Sequence, residues 1–166
     1  MLKQSEQEKI DQLKQILDVA EVDFNILTHD VTVKSAEEGV AKGFGDLKIM
    51  APTFILRSKG SYLAAIISGE THLSYKKIKK ELGLKNVSLA TPEQVEQITG
   101  AQIGTVALVN PSLQSLVDSR LTELKFVFGG CGVPRHSLRI NVQDLIRVTR
   151  AQVFDFTELK ASGRQR

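Results

Sequence analysis

Ile10, Leu13, Ile16 and Leu17 recur at steps of three and four residues, the spacing that lines one face of a helix. Ser5 lies just upstream with Glu8 three residues on, a capping box that satisfies two otherwise orphaned N–H groups. The pattern predicts a helix over 5–19. The next segment, DFNILTH at 23–29, reads as a strand, and a second capping box, Ser35 with Glu38, predicts a short helix ending near Gly43–Gly45. From 52 to 68 the apolar pattern changes period. TFILRS and SYLAAIIS, rich in β-branched and aromatic residues, flank Lys59-Gly60 and predict a hairpin. Ser74 to Leu82 then reads as a helix with Gly83 just past its end, and NVSLA at 86–90 as a short strand. Thr91-Pro92 with Gln94 opens another helix, which Gly100 ends. TVALVN (105–110), SLVDS (115–119) and ELKFVF (123–128) are strand candidates; Asn141 caps a helix over Gln143–Arg147, and QVFDF at 152–156 is the last strand. The tail, KASGRQR, is polar and expected to fray.

Strands outnumber helices and the helices do not alternate strictly with them. That order favours an α+β or mixed-sheet domain over a doubly wound parallel one. With 166 residues and no repeat or Pro/Ser-rich linker, residues 1–166 read as a single domain.

Composition narrows the classes. Hydrophobic residues make up 42% and charged residues 25%, the mix of an ordinary globular protein. No apolar run approaches the roughly 18 residues a membrane span needs, and the N-terminus lacks a signal-peptide apolar region. A lone cysteine excludes an intramolecular disulfide framework, so a reducing cytoplasm is the expected location. The net charge of +3 permits a nucleic-acid partner without arguing for one. The two best-defined nucleotide fingerprints, G-x-G-x-x-G after the first strand and G-x-x-x-x-G-K-[ST], are both absent.

The densest chemistry lies in FVFGGCGVPRHSLRI at 126–140. Cys131 is either a thiol activated by nearby cations or a small packed hydrophobe. Gly129, Gly130 and Gly132 form either a tight turn or a backbone cradle whose N–H groups face an anion. His29, His72 and His136 are scattered without a partner at i+3 or i+4, so no metal site is expected, and no cofactor. Lys76, Lys77, Lys79 and Lys80 crowd one helix, and Arg135, Arg139, Arg147 and Arg150 cluster in the C-terminal quarter. Such residues suit phosphate contacts, or simply a solvated face. At 5% aromatic and without tryptophan, the chain gives little sign of a base-stacking platform.

Three stretches together resemble a known family: VKSAEEGVAKGFG (33–45), the hairpin-to-helix run 51–104, and VFGGCGVPRHSLRINVQDLIRVTRAQVFDF (127–156). They are similar to the YbaK/EbsC family, the domain also associated with bacterial prolyl-tRNA synthetases. The resemblance covers about 20–157, leaving helix 5–19 as an extension. It implies a compact α+β domain with a mixed, barrel-like sheet surrounded by helices. It also implies an aminoacyl-tRNA deacylase acting in trans on the aminoacylated 3′ end of a mischarged tRNA, possibly beside an aminoacyl-tRNA synthetase. In such enzymes backbone N–H groups stabilise the oxyanion and a small pocket acts as a second sieve.

Carried over residue by residue, Gly104 and its neighbour Thr105 fall at the catalytic loop. Thr28, His29, Gly129 and Gly130 fall at the pocket wall. Lys76, Lys77, Lys80, Arg135 and Arg139 are the expected tRNA contacts. Two positions depart from the family pattern. Pro52 stands where members carry a lysine, with Lys48 four residues earlier as its candidate replacement, and Leu108 stands where the G-x-x-x-P loop has proline. Those departures also allow a non-catalytic tRNA- or synthetase-binding module of the same fold.

Overall fold

The computed structural model describes residues 5–29 and 46–160. The helix expected after Ser35, the family-like stretch 33–45 and the C-terminal tail beyond Lys160 lie outside them. In chain order the elements are α1 (Glu6–Val19), β1 (Phe24–Thr28), β2 (Thr53–Ser58), β3 (Ser61–Ile66), β4 (Thr71–Leu73), α2 (Tyr75–Leu82) and β5 (Ser88–Leu89). Then come α3 (Pro92–Thr99), β6 (Gln114–Asp118), β7 (Phe126–Gly130), β8 (His136–Asn141), α4 (Val142–Thr149), β9 (Gln152–Phe154) and β10 (Thr157–Leu159), with single 3-10 turns at Leu47–Ile49 and Ser119–Glu123.

The α+β class expected from the sequence is the class observed. The mixed sheet takes the form of three hydrogen-bonded sheets: a central one in the order β5-β2-β3-β6-β9, a three-stranded one, β1-β8-β7, and the pair β10-β4. The β2–β3 hairpin turns on Lys59 (φ 50°) and Gly60 (φ 81°), two left-handed residues that match the twist of the flanking strands. The parallel neighbours β3 and β6 are buried on both faces, which is why LAAI and LV carry no polar alternation.

The two faces of the central sheet meet different partners. Leu56, Leu63, Ala65 and Leu116 pack with Ile78 of α2 and with Phe156. On the other face Ile55 and Ala64 meet Val95 of α3 and Val106. On that same face Ile66 and Val117 meet Val127, Leu138 and Ile140 of the three-stranded sheet, Leu13 and Leu17 of α1, and Leu145 of α4. Both capping boxes on described residues form as predicted, Ser5 with Glu8 and Thr91 with Gln94.

Several expectations are corrected. TVALVN is not a strand: after a turn at 102–105 it runs as buried irregular chain with one parallel bridge, Ala107 to Gly130. Its Val106, Leu108 and Val109 look strand-like because the segment is covered on both sides. The strand expected over 123–128 lies at 126–130 and runs into the glycines. NVSLA and QVFDF shorten to Ser88–Leu89 and Gln152–Phe154, while β4, β8 and β10 were not anticipated.

Asp118, fully buried at the end of β6, ties the last turn of chain to the central sheet. Its carboxylate accepts from the Phe156 N–H at 3.0 Å, the Thr157 hydroxyl at 3.0 Å and the Arg120 N–H at 3.3 Å. Asp118→Ala strands these donors. It is expected to lower unfolding free energy by about 3 kcal/mol or more, read as a lower urea midpoint at unchanged slope.

Candidate functional site

The glycines of β7 lie where two chain segments, around Ala51 and around Val106–Leu108, press on the strand. A Cβ at Gly129 would stand 2.6 Å from Leu108 Cγ and 2.7 Å from the Ala51 carbonyl oxygen. A Cβ at Gly130 would strike the Val106 carbonyl oxygen and come within 3.0 Å of the Thr105 carbonyl oxygen. Hydrogen bonds close the seam: the Leu108 N–H donates to the Gly130 carbonyl at 3.0 Å, the Gly132 N–H to the Thr105 carbonyl at 2.9 Å, and the Ala51 N–H to the Phe128 carbonyl at 2.7 Å. The space a side chain would take at these two glycines is filled by protein, so close packing alone accounts for glycine at both positions. The seam places Thr105, the neighbour of Gly104, beside Gly130 and Gly132. Gly104 is exposed in its turn at φ 89°, and its N–H makes no hydrogen bond to any described residue. Thr105 is buried, with its hydroxyl donated to the Gln102 carbonyl at 2.8 Å.

Thr28 and His29 meet the start of β8 at the same end of the three-stranded sheet. His29 donates its backbone N–H to the Arg135 carbonyl at 2.8 Å, and its Nε2 lies 2.8 Å from Ser137 Oγ. Thr28 Oγ1 lies 3.4 Å from His136 Nδ1. Burial, and secondarily the neighbouring His136, lower the His29 pKa. Arg135 takes a left-handed φ of 64° to close the β7–β8 connection.

Lys48 sits elsewhere on the rim. It lines a small cleft of about 50 Å³ with Ser68, Glu70, Arg120, Glu123 and Leu124, and neither Gly104 nor Gly130 is among the lining residues. The Ser68 hydroxyl holds the Lys48 carbonyl at 2.9 Å. Two cations facing two carboxylates suit a mixed-charge group. Pro52 uses its carbonyl to accept the Ile67 N–H at 3.2 Å, and the next residue, Thr53, has a buried hydroxyl with no hydrogen-bond partner among the described residues. Sequence reasoning passed over Thr53. Its only advance signal was its place directly after Pro52.

The basic residues divide. Lys77, about a third exposed, is paired at the surface with Asp155 at 3.0 Å and Glu158 at 3.2 Å and donates to the Thr157 carbonyl at 2.8 Å, so acceptors of its own fold compete with any RNA contact. Lys76 and Lys80, one helical turn apart on α2, are exposed. Arg139 stacks on Phe126 at 3.6 Å from the ring centroid and donates to Asn25 Oδ1 at 2.9 Å. Because α2 and the three-stranded sheet pack on opposite faces of the central sheet, the two basic groups do not form one patch. Cys131 is buried, and burial pushes its thiol up to about 12, the behaviour of a packed hydrophobe. Among the described residues no group of three or more His, Cys, Asp or Glu side chains is placed to hold a metal, and no helix is long and apolar enough to cross a membrane.

The fold and the seam between the glycine strand and the Gly104 turn define an α+β domain with its candidate chemistry at a backbone junction. The chain belongs to the aminoacyl-tRNA editing domain family, whose sequence pattern it matches over residues 30–148. It is 31% identical over 106 residues to the proline–tRNA ligase of Caldicellulosiruptor saccharolyticus, covering 63% of this chain and 18% of the ligase. This chain spans about a fifth of the length of the ligases it matches. It is also 24% identical over 148 residues to the multifunctional Ser/Thr-tRNA deacylase ProXp-y of Escherichia coli, covering 81% of this chain and 84% of that protein. The backbone matches the crystal structure of a proposed trans-editing enzyme for prolyl-tRNA synthetase with a TM-score of 0.80. That match has 22% identity over 94% of this chain and 99% of the other, a likeness of fold.

Two outcomes follow from the seam. Gly129→Ala must displace Leu108 or the chain at Ala51, and is expected to cost about 1–3 kcal/mol in a denaturant melt. Cys131 should stay unreactive to a disulfide reagent at pH 8 in the native protein and react fully once urea unfolds it; fast native labelling would contradict the raised pKa.

Proposed function

We propose that this chain is an aminoacyl-tRNA deacylase acting in trans, hydrolysing the ester between a wrong amino acid and the 3′ end of a tRNA. The observation that carries the reading is the editing-domain match over 30–148, which spans both sides of the seam at Gly104–Thr105 and Gly129–Gly130. Water attacks the ester carbonyl carbon, the carbonyl oxygen takes up negative charge, and the bond to the ribose oxygen breaks. The ribose oxygen leaves with a proton and the amino acid departs as a carboxylate. The chain's part is to place a backbone donor, the Gly104 N–H, where that charge develops, and to position the ester by the wall from Thr28 and His29 to the β7 glycines. Discrimination then rests on how large a side chain fits behind the ester. Lys48 and Arg135 would meet phosphates near the acceptor end, and Lys76 and Lys80 a separate stretch of tRNA backbone.

A second reading, a tRNA- or synthetase-binding module without hydrolysis, is favoured by Pro52 and Leu108 at the two departures from the family pattern. A panel of mischarged tRNAs separates the two: release of an amino acid from at least one, above buffer hydrolysis, supports the first. Intact esters across the panel, with binding that weakens steeply in salt, would leave only the second. On a tRNA that is edited, Lys48→Ala should raise KM, leave kcat largely unchanged and reduce the salt slope by about one.

A further inference from the structure

The outward face of the three-stranded sheet carries a feature that the editing chemistry does not use. Register fixes which side chains share it. Asn25 and Phe128 each lie opposite Arg139, and Leu27 lies opposite Ser137, so side-chain alternation puts Asn25, Leu27, Phe126, Phe128, Ser137 and Arg139 on one face. The other face holds Phe24, Ile26, Val127, Leu138 and Ile140, which pack into the core. Leu27, Phe126 and Phe128 belong to no core cluster and stay half-buried. The Arg139 guanidinium lies on the Phe126 ring at 3.6 Å from its centroid, with the Lys125 ammonium 5.6 Å from the same centroid. None of the six positions is acidic. Asp144, the carboxylate near the start of β1, is occupied by the Asp23 N–H at 3.0 Å and by Arg147 at 3.0 Å.

We propose that this face is a stacking platform for unpaired nucleotides of an RNA 3′ end. A guanidinium already stacked on a phenyl ring is held flat, and its outer surface can take a base as a third layer, while Phe128 offers a second ring one strand step along. Lys125 and Arg139 supply the charge that a phosphodiester chain needs. From Phe126 to Gly130 the strand advances about 13 Å and ends at the seam with the Gly104 turn, so bases laid along β7 lead the terminal ribose toward the candidate site. The proposal rests on the tRNA-editing reading and deepens it: the 3′ end is held by its bases and not only by its phosphates.

The test is fluorescence anisotropy of the full chain with two labelled RNA hairpins, identical except that one carries a single-stranded 3′ overhang and the other is blunt. The expected result is about tenfold tighter binding of the overhang RNA, with Arg139→Lys and Phe126→Leu each losing most of that preference. Equal affinity of the wild-type chain for both RNAs, or the preference surviving in both variants, overturns the proposal. The wild-type comparison requires no variant to fold. Deacylation without overhang preference would defeat the platform alone, and overhang preference without deacylation on any mischarged tRNA would defeat the editing reading alone.

Discussion

The candidate site depends on how closely β7 can approach its neighbours. At Gly129 and Gly130 the chain passes between the Leu108 side chain, the Ala51 carbonyl and the carbonyls of Thr105 and Val106, with no space for a methyl group. Backbone-to-backbone contact of that kind is available only to glycine. It sets where the irregular segment 104–108 lies, and so where the Gly104 turn meets solvent. Two parallel bridges, Met50 to Phe128 and Ala107 to Gly130, fasten the strand to chain on its open edge. The glycines thus act as packing devices first, and whatever chemistry the site performs is positioned by that packing.

The central sheet separates two basic groups that the sequence invited one to merge. Its face toward Ile78 and Phe156 carries α2 with Lys76 and Lys80; its face toward Val127 and Leu138 carries the sheet with Arg139. Asp118 stands at the edge between them, holding the chain at Phe156 and Thr157 so that Lys77 finds Asp155 and Glu158. One of the four clustered lysines is thereby spent on the fold. The paired carboxylates keep that ammonium protonated, and it in turn holds the Asp155 carboxyl below its usual range. A charge run along a helix is therefore a poor guide to how many of its members face a partner.

What could be read in advance was local. Ser5 with Glu8 and Thr91 with Gln94 are reciprocal bonds within four residues, and Lys59-Gly60 sets its own turn, so each follows from adjacent identities alone. What could not be read depended on distant partners. TVALVN has the composition of a strand, yet it lies between β7 and α3, where one face cannot form a ladder. HSLRIN became a strand because Phe24–Thr28 and Phe126–Gly130 flank it, a fact no window of six residues contains. The stacking of Arg139 on Phe126 was hidden for the same reason, since thirteen positions separate them in sequence. A composition of 5% aromatic residues argued against a platform that needs only two rings, if both stand on one face.

The same long-range logic bears on Leu108 and Pro52. Leu108 fills the volume that the absent side chain of Gly129 leaves, and it is fully buried. Its presence in place of a proline is balanced by a contact inside this chain, and its N–H, which a proline would lack, donates to the Gly130 carbonyl. Pro52 is balanced in the same way: a lysine there would carry a donor and a charge, whereas the proline keeps only its carbonyl, bonded to Ile67. Neither residue carries a polar side chain. The hydroxyl of Thr53, buried one residue beyond Pro52, is one of three buried side-chain polar atoms, with Ser115 Oγ and Arg120 Nε, that lack a hydrogen-bond partner among the described residues. A buried hydroxyl without a partner is costly in a closed core and useful beside a polar ligand. The departures at positions 52 and 108 are therefore each absorbed by contacts inside this chain, the Leu108 side chain against Gly129 and the Pro52 carbonyl on Ile67.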